Sequence, residues 1–392
     1  MSTMNFYQRF KLDKQLADNI NFNPYYCEIQ SGLEDTVIID GHEFINLASN
    51  NYLGLAADPA VKEAAMEAVK KYGTSLCGTP AATGYTELYK RVENKISSFV
   101  GLEGTVILPS CYQANNGLFT LVAGKDDIVV VDRSAHSSLI QGIKGAGCKI
   151  RPFLHNNMEH LESILKNSSG FRQIFIVTES VFSTDGTIAP LSDIIKLADE
   201  YDAFPVVDDS HGIGVIGSTG RGILEEAGIR DFRGIYTASL GKALANSGGI
   251  ISGKKELIEY FKYYCPQLVY STALSPASLG GIEKVLEVIE TGFDAISRKL
   301  WHNKELISRC LIEAGFRVSD SRAAINSIIS GSASDTLLLA KRFYEKGILA
   351  TPFIEPSVPP KEGRLRLIAG ANLKEETMAR AADIIRKLGR PQ

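Results

Sequence analysis

Five short runs in this chain are apolar through their centres: TVILP (105–109), DIVVVD (127–132), QIFIVT (173–178), FPVVD (204–208) and GIYTAS (234–239). A strand with one face in water alternates apolar and polar residues, whereas a strand covered on both faces does not. The runs therefore predict an α/β fold, a doubly wound and mostly parallel sheet with helices on both sides. The intervening spacing agrees. Leu88, Val92, Ile96, Phe99 and Val100 mark one helical face, and 190–201 reads as a crossover helix. Residues 36–40 and 44–48 flank a Gly41-His42 turn and read as a hairpin. The expected division is an N-terminal arm and hairpin over 1–57, a large domain over 58–290 and a smaller α/β domain over 291–392. The last is entered by a charged helix at 292–314.

Composition removes several functional classes. Lys and Arg number 42 against 45 Asp and Glu, a net charge of −3, which leaves no broad basic face for nucleic acid. No run of 18 apolar residues is present to span a membrane, and MSTMNFYQRFKLDKQ has no apolar core of a secretory signal. Six scattered cysteines without a C-x-x-C pair read as reduced thiols, not as a disulfide frame or a zinc site, so no metal is expected. A cytoplasmic enzyme is the class that survives.

In open parallel sheets ligands sit beyond the carboxyl ends of the strands. After 105–109 come Ser110, Cys111 and Tyr112 at a helix start, either an anion cradle or an ordinary N-cap. After 127–132 comes His136, placed to stack on a flat ring or to cap a helix. Glu179 and Ser183 follow the third run, where polar turn chemistry is the alternative. Asp208 and His211 follow the fourth; an acid ending an apolar strand needs a cation, which a protonated pyridine nitrogen or an arginine could supply. Ser239 and Lys242 follow the fifth, and a lysine there is exposed to desolvation, which suits Schiff-base chemistry. Each signal is weak alone. Together they place a phosphate cradle, a stacking histidine, a buried acid and a lysine at one sheet edge, which is what pyridoxal phosphate requires.

Two glycine motifs compete. Gly212, Gly214 and Gly217 spell G-x-G-x-x-G, but Asp208 to His211 intervene and no clean helix start follows, so a glycine-rich turn beside a bound ring is the simpler reading. GGIISGKK (248–255) ends in Lys255 where a phosphate loop needs Ser or Thr, and is discounted.

VTESVFSTDGTIAPL, VVDDSHGIGVIGSTGRG and TASLGKALANSGG, with SNNYLGLA (49–56) and YSTALSPA (270–277), resemble the α-oxoamine synthases, pyridoxal-phosphate enzymes of fold type I. The resemblance runs from about residue 25 to the C-terminus. It implies decarboxylative condensation of a small amino acid with an acyl thioester, carried by CoA or a carrier protein, to an α-amino ketone. Lys242 would be the Schiff-base lysine and the base for the α-proton. Asp208 would hold the ring nitrogen, His136 would stack, and Ser183 and His211 would meet the ring hydroxyl, with Glu179 in the same cofactor set. His211 would also polarise the thioester carbonyl. Ser110, Cys111, Tyr112 and Ser239 would hold the phosphate, joined by Thr272 from a second subunit of a homodimer. Arg366, in GRLRLIAG (363–370), would bind the substrate carboxylate, with Asn51 and Tyr52 near the substrate.

Within 75–89 the pattern departs: Pro80 stands where the family has Arg, and Tyr89 where it has His. That segment lies near the acyl entrance in the family, so the departure points to a specialised acyl donor. The alternatives are another fold-type I activity (aldolase or aminotransferase), a nicotinamide oxidoreductase built on residues 212–217, and a non-catalytic binding protein.

Overall fold

The chain's first sheet begins with the hairpin β1 (Thr36–Ile39) and β2 (His42–Asn46), turning at Asp40-Gly41. The computed structural model describes residue 10 and residues 15–389, so the part of the expected N-terminal arm at 1–9 and 11–14 lies outside the described residues. The large sheet follows as β3 (Gly104–Leu108), β4 (Ile128–Asp132), β5 (Lys149–Phe153), β6 (Ile174–Glu179), β7 (Ala203–Asp208), β8 (Ile235–Ser239) and β9 (Gly249–Gly253). Its order is β3-β9-β8-β7-β6-β4-β5, parallel throughout except where β9 pairs antiparallel with both β3 and β8.

The uniform apolarity of the runs has a direct cause. Val129, Val131, Phe175, Val177 and Val206 enter one hydrophobic cluster, while Ile128, Val130, Ile174, Ile176 and Val207 enter another. Successive side chains leave a strand on opposite faces, and here both faces are core.

The small domain is built from β10 (Asn326–Gly331), β11 (Ile348–Leu349), β12 (Thr351–Phe353) and β13 (Gly363–Leu367). β10, β13 and β12 form one sheet, while β11 joins the N-terminal hairpin through β2. Ile45 and Leu47 share a core with Ile307, Phe343, Leu365 and Leu367. The hairpin thus shares its core with the C-terminal strands and helices. The position near 290 lies inside a helix. One continuous helix, Pro276–Glu313, crosses it, burying Ile282, Val285 and Ile289 in the large core and Ile307, Cys310 and Leu311 in the small one. No described helix is long and apolar enough to cross a membrane.

Candidate active site

The carboxyl ends of β6, β7 and β8 and the start of the helix Cys111–Val122 come together around one site, the chamber, and Arg366 of β13 bonds to the loop that follows β6. Asp208, the last residue of β7, lies beside Glu179, the last of β6, as register partners. Asp208 Oδ1 accepts the Ser210 amide at 2.9 Å, and Oδ2 accepts Asn115 Nδ2 at 2.7 Å. A carboxylate so fixed keeps lone pairs for one more donor. Burial first, and then the Asp208 charge, push the Glu179 carboxyl well above its ordinary range.

Lys242 follows β8 and forms no hydrogen bond or ion pair among the described residues. Burial pulls its ammonium pKa down, against the charges of Asp208, Cys111 and Glu179, while Arg366 adds to the fall. A less protonated amine is a better nucleophile and base. His211 Nδ1 lies 2.7 Å from Tyr52 Oη, and burial, with the neighbouring Lys242 and Arg366 charges, holds the ring neutral. Burial likewise raises Tyr52.

His136 caps the helix Ser137–Ala146, its Nδ1 accepting the Ser138 amide at 3.2 Å. The capping alternative is therefore what the ring nitrogen does, while the ring itself stays exposed toward the chamber and feels both Asp208 and Lys242. Ser110 also caps: its hydroxyl takes the Gln113 amide at 3.1 Å, so the amides of Cys111 and Tyr112 are left as the first-turn donors without an intrahelical acceptor. The Cys111 thiol lies 3.3 Å from Ser210 Oγ, and burial raises it. The Tyr112 side chain points to solvent. Ser239 Oγ accepts the Gly241 amide at 3.2 Å beside this helix start.

Arg366 on β13 is buried, stacked 4.9 Å above the Phe353 ring, with Nη1 on the Ser183 carbonyl at 3.0 Å and Nε unpaired. Among the described residues it forms no ion pair with a carboxylate. The next three carbonyls of that loop are taken the same way: Thr184 by Ser327 Oγ at 2.7 Å, Asp185 by Ser319 Oγ at 2.9 Å and Gly186 by Ser321 Oγ at 3.2 Å. On its other side the loop meets His155, whose Nε2 is 2.8 Å from Thr187 Oγ1 and whose Nδ1 is 3.0 Å from Asp132 Oδ1.

Other residues singled out in the sequence have the following partners. Asn51 spends its carbonyl oxygen on the Ala56 amide, a local turn. Thr272 is exposed, next to Ser271, which accepts a bond from Gln113. Tyr89, in the position of the family histidine, is buried and donates to the Ile107 carbonyl at 2.6 Å, so it belongs to the core. Pro80 opens a single π-turn over Pro80–Gly84. The glycines at 212–222 serve a different purpose from the one expected. A Cβ on Gly212 would lie 1.9 Å from Asp209 Oδ1, and one on Gly222 1.8 Å from Oδ2. They make room for the buried Asp209 carboxylate, not for a ring. In 248–255 the lysines face outward, Lys254 pairing with Glu103 and Asp231, and no phosphate loop forms. Sequence reasoning passed over Asn115, whose partners come from three other elements, and Phe353, the shelf under Arg366.

The donor set fits pyridoxal phosphate: an N-terminal helix turn for its phosphate, a fixed buried carboxylate for its ring nitrogen, and a lysine without a counterion for its aldehyde. A family model for class I and II aminotransferases matches residues 42–385. The chain is 34% identical to an 8-amino-7-oxononanoate synthase of Thermoanaerobacter pseudethanolicus, over 90% of this chain and 89% of that one. It is also 34% identical to a 2-amino-3-ketobutyrate coenzyme A ligase of Salmonella typhimurium, over 91% and 90%. Its fold matches a serine palmitoyltransferase from S. paucimobilis with a TM-score of 0.94 at 22% identity, covering 99% of this chain and 98% of that one. The chain belongs to the class I and II aminotransferase family and, within it, to the α-oxoamine synthases, C-acyltransferases that work through pyridoxal phosphate.

Proposed function

We propose that the protein condenses a small amino acid with an acyl thioester, carried by CoA or a carrier protein, releasing carbon dioxide and the thiol to leave an α-amino ketone. The observation that carries this reading is that Lys242, at the edge of the large sheet, and buried Arg366, on β13, form no ion pair among the described residues. A molecule bearing both an amine and a carboxylate is the ligand that answers them. When bound, pyridoxal phosphate supplies an electron sink for the pair released at the substrate's α-carbon.

The chain's residues do the rest. Asp208 would keep the ring nitrogen protonated, and His136 would cover one ring face. The helix start at Cys111 and Tyr112, with Ser239, would hold the phosphate. Arg366 would trade the Ser183 carbonyl for the substrate carboxylate, a charge-assisted bond in place of a neutral acceptor. Lys242, whose burial favours the free amine, would take the α-proton. Neutral His211, oriented by Tyr52, would donate to the thioester carbonyl as charge develops there. Thr272, exposed on this chain, would serve the site of a second subunit. Exposed Tyr263, Tyr264 and Tyr270 near it support a homodimer, and six free thiols support a cytoplasmic setting.

The test is thiol release from a series of acyl thioesters of graded chain length, with glycine, alanine or serine as co-substrate. Expected is release that requires both substrates and yields one carbon dioxide per thiol. Amino-acid turnover without thiol release would replace this reading by an aldolase or aminotransferase.

A further inference from the structure

Asn115 is buried completely in the helix Cys111–Val122, and nothing above gives it a task beyond its bond to Asp208. Its side chain is fully committed. Oδ1 accepts Thr237 Oγ1 at 2.8 Å; Nδ2 donates to Asp208 Oδ2 at 2.7 Å and to Ser138 Oγ at 2.9 Å. The orientation is fixed by chemistry, since a flipped amide would set its oxygen against a carboxylate. Ser138 Oγ, accepting from Asn115, has one hydrogen left. The remaining neighbour is His136 Nδ1 at 2.8 Å, which also accepts the Ser138 amide. A ring nitrogen that accepts two hydrogen bonds cannot carry a proton, so a neutral His136 holds its proton on Nε2.

We propose that Asn115 is a positioning residue that couples the two halves of the cofactor site. One amide hydrogen orients the Asp208 carboxylate; the other, through the Ser138 hydroxyl, fixes His136 in its Nε2–H tautomer and sets the plane of its ring. Thr237 on β8, the strand that leads to Lys242, anchors the amide from behind. The ring-nitrogen partner and the stacking ring are thereby held as one hydrogen-bonded unit before any ligand arrives. The proposal deepens the reading above and rests on it for its consequence, though the lock itself is a property of the chain alone.

The experiment is a long-range 1H–15N spectrum of the cofactor-free protein carrying 15N-histidine, with His136 assigned by the signal lost in His136→Gln. Wild type is expected to show Nε2 protonated and Nδ1 not. In Ser138→Ala and in Asn115→Leu, which keeps the volume, the two nitrogens should move toward averaged shifts as the second tautomer appears. Asn115→Leu should also weaken pyridoxal-phosphate uptake roughly tenfold, the worth of a bond to a charged group, with Ser138→Ala weakening it less. Should Asn115→Leu fail to fold, Ser138→Ala decides the matter alone. Unchanged His136 nitrogens in the folded variants would overturn the proposal. A wild-type protein that takes up no pyridoxal phosphate would sink the functional reading instead, and the tautomer result would still stand.

Discussion

Two regions of this protein bury charge, and they do so on opposite terms. Beneath the 80–84 turn, the Glu93 carboxylate receives Lys262 Nζ at 2.7 Å and Tyr85 Oη at 2.8 Å, while Lys262 also lies over the Tyr85 ring. There every charge has its counterion within the chain. At the strand ends, buried Arg366 and half-buried Lys242 form no ion pair among the described residues, and Lys242 only feels Asp208 and Glu179 from a distance. Taking a cation out of water is costly unless something compensates it. A closed cluster is architecture; an open one is a site whose compensation arrives with the ligand.

The sharpest way to break this contrast is Lys242→Ala. Turnover should fall at least ~10³-fold, while calorimetry should show the melting temperature held or raised, since a desolvated amine without a hydrogen bond has gone. A variant that lost several degrees would move Lys242 to the architectural class. Next is Arg366→Met: KM for the amino acid should rise roughly 100-fold, the loss of a charge-assisted carboxylate contact, with little loss of stability. The opposite pattern is expected for Lys262→Met, which strands Glu93. Urea unfolding should show a loss of about 3 kcal/mol, with KM and cofactor uptake unmoved.

The smallest effect belongs to Asp209, one residue beyond Asp208 yet outside the chamber, where its Oδ2 accepts Tyr236 Oη at 2.7 Å and the Ile223 amide at 3.0 Å. Burial pushes its carboxyl up to about 7 despite these bonds. The unfolded chain titrates near ~4, so between the two values the native state holds the extra proton. Its stabilising contribution is therefore complete below about pH 4 and is lost as pH rises through 7. Relative to Asp209→Asn, wild type should lose about 1 kcal/mol of stability per pH unit between pH 5 and 7. Urea midpoints at four pH values would show it; parallel curves would assign Asp209 an ordinary acidity.

What the sequence made legible follows the same division between local and distant causes. The five buried strands announced themselves because covering both faces removes every polar position, and the residues after them lead into the chamber. β5 escaped notice because it is a sheet edge, with Lys149 and Pro152 in water. β9 was hidden in a near-match to a phosphate loop, since Gly249 and Gly253 dilute its apolar signal. Asn115 was visible as a letter, but its role depends on Thr237, Asp208 and Ser138, which only the folded sheet brings together. The 212–217 glycines pointed to a ligand when their neighbours were side chains of the chain itself: Asp209 beside Gly212, Ala243 beside Gly214 and Glu225 beside Gly217.

The four carbonyls from Ser183 to Gly186, each held by a side chain of the small domain, carry a mechanical consequence. Rungs set in parallel along a seam share a sliding load, so none gives way until the load suffices for all. The seam behaves as a latch, engaged or released, with little room for partial slip. Arg366 is its first rung and also the guanidinium that faces the chamber. On the proposed function, a carboxylate that drew Arg366 off Ser183 would remove one rung of four and so lower the load the seam can bear at the moment the amino acid is in place.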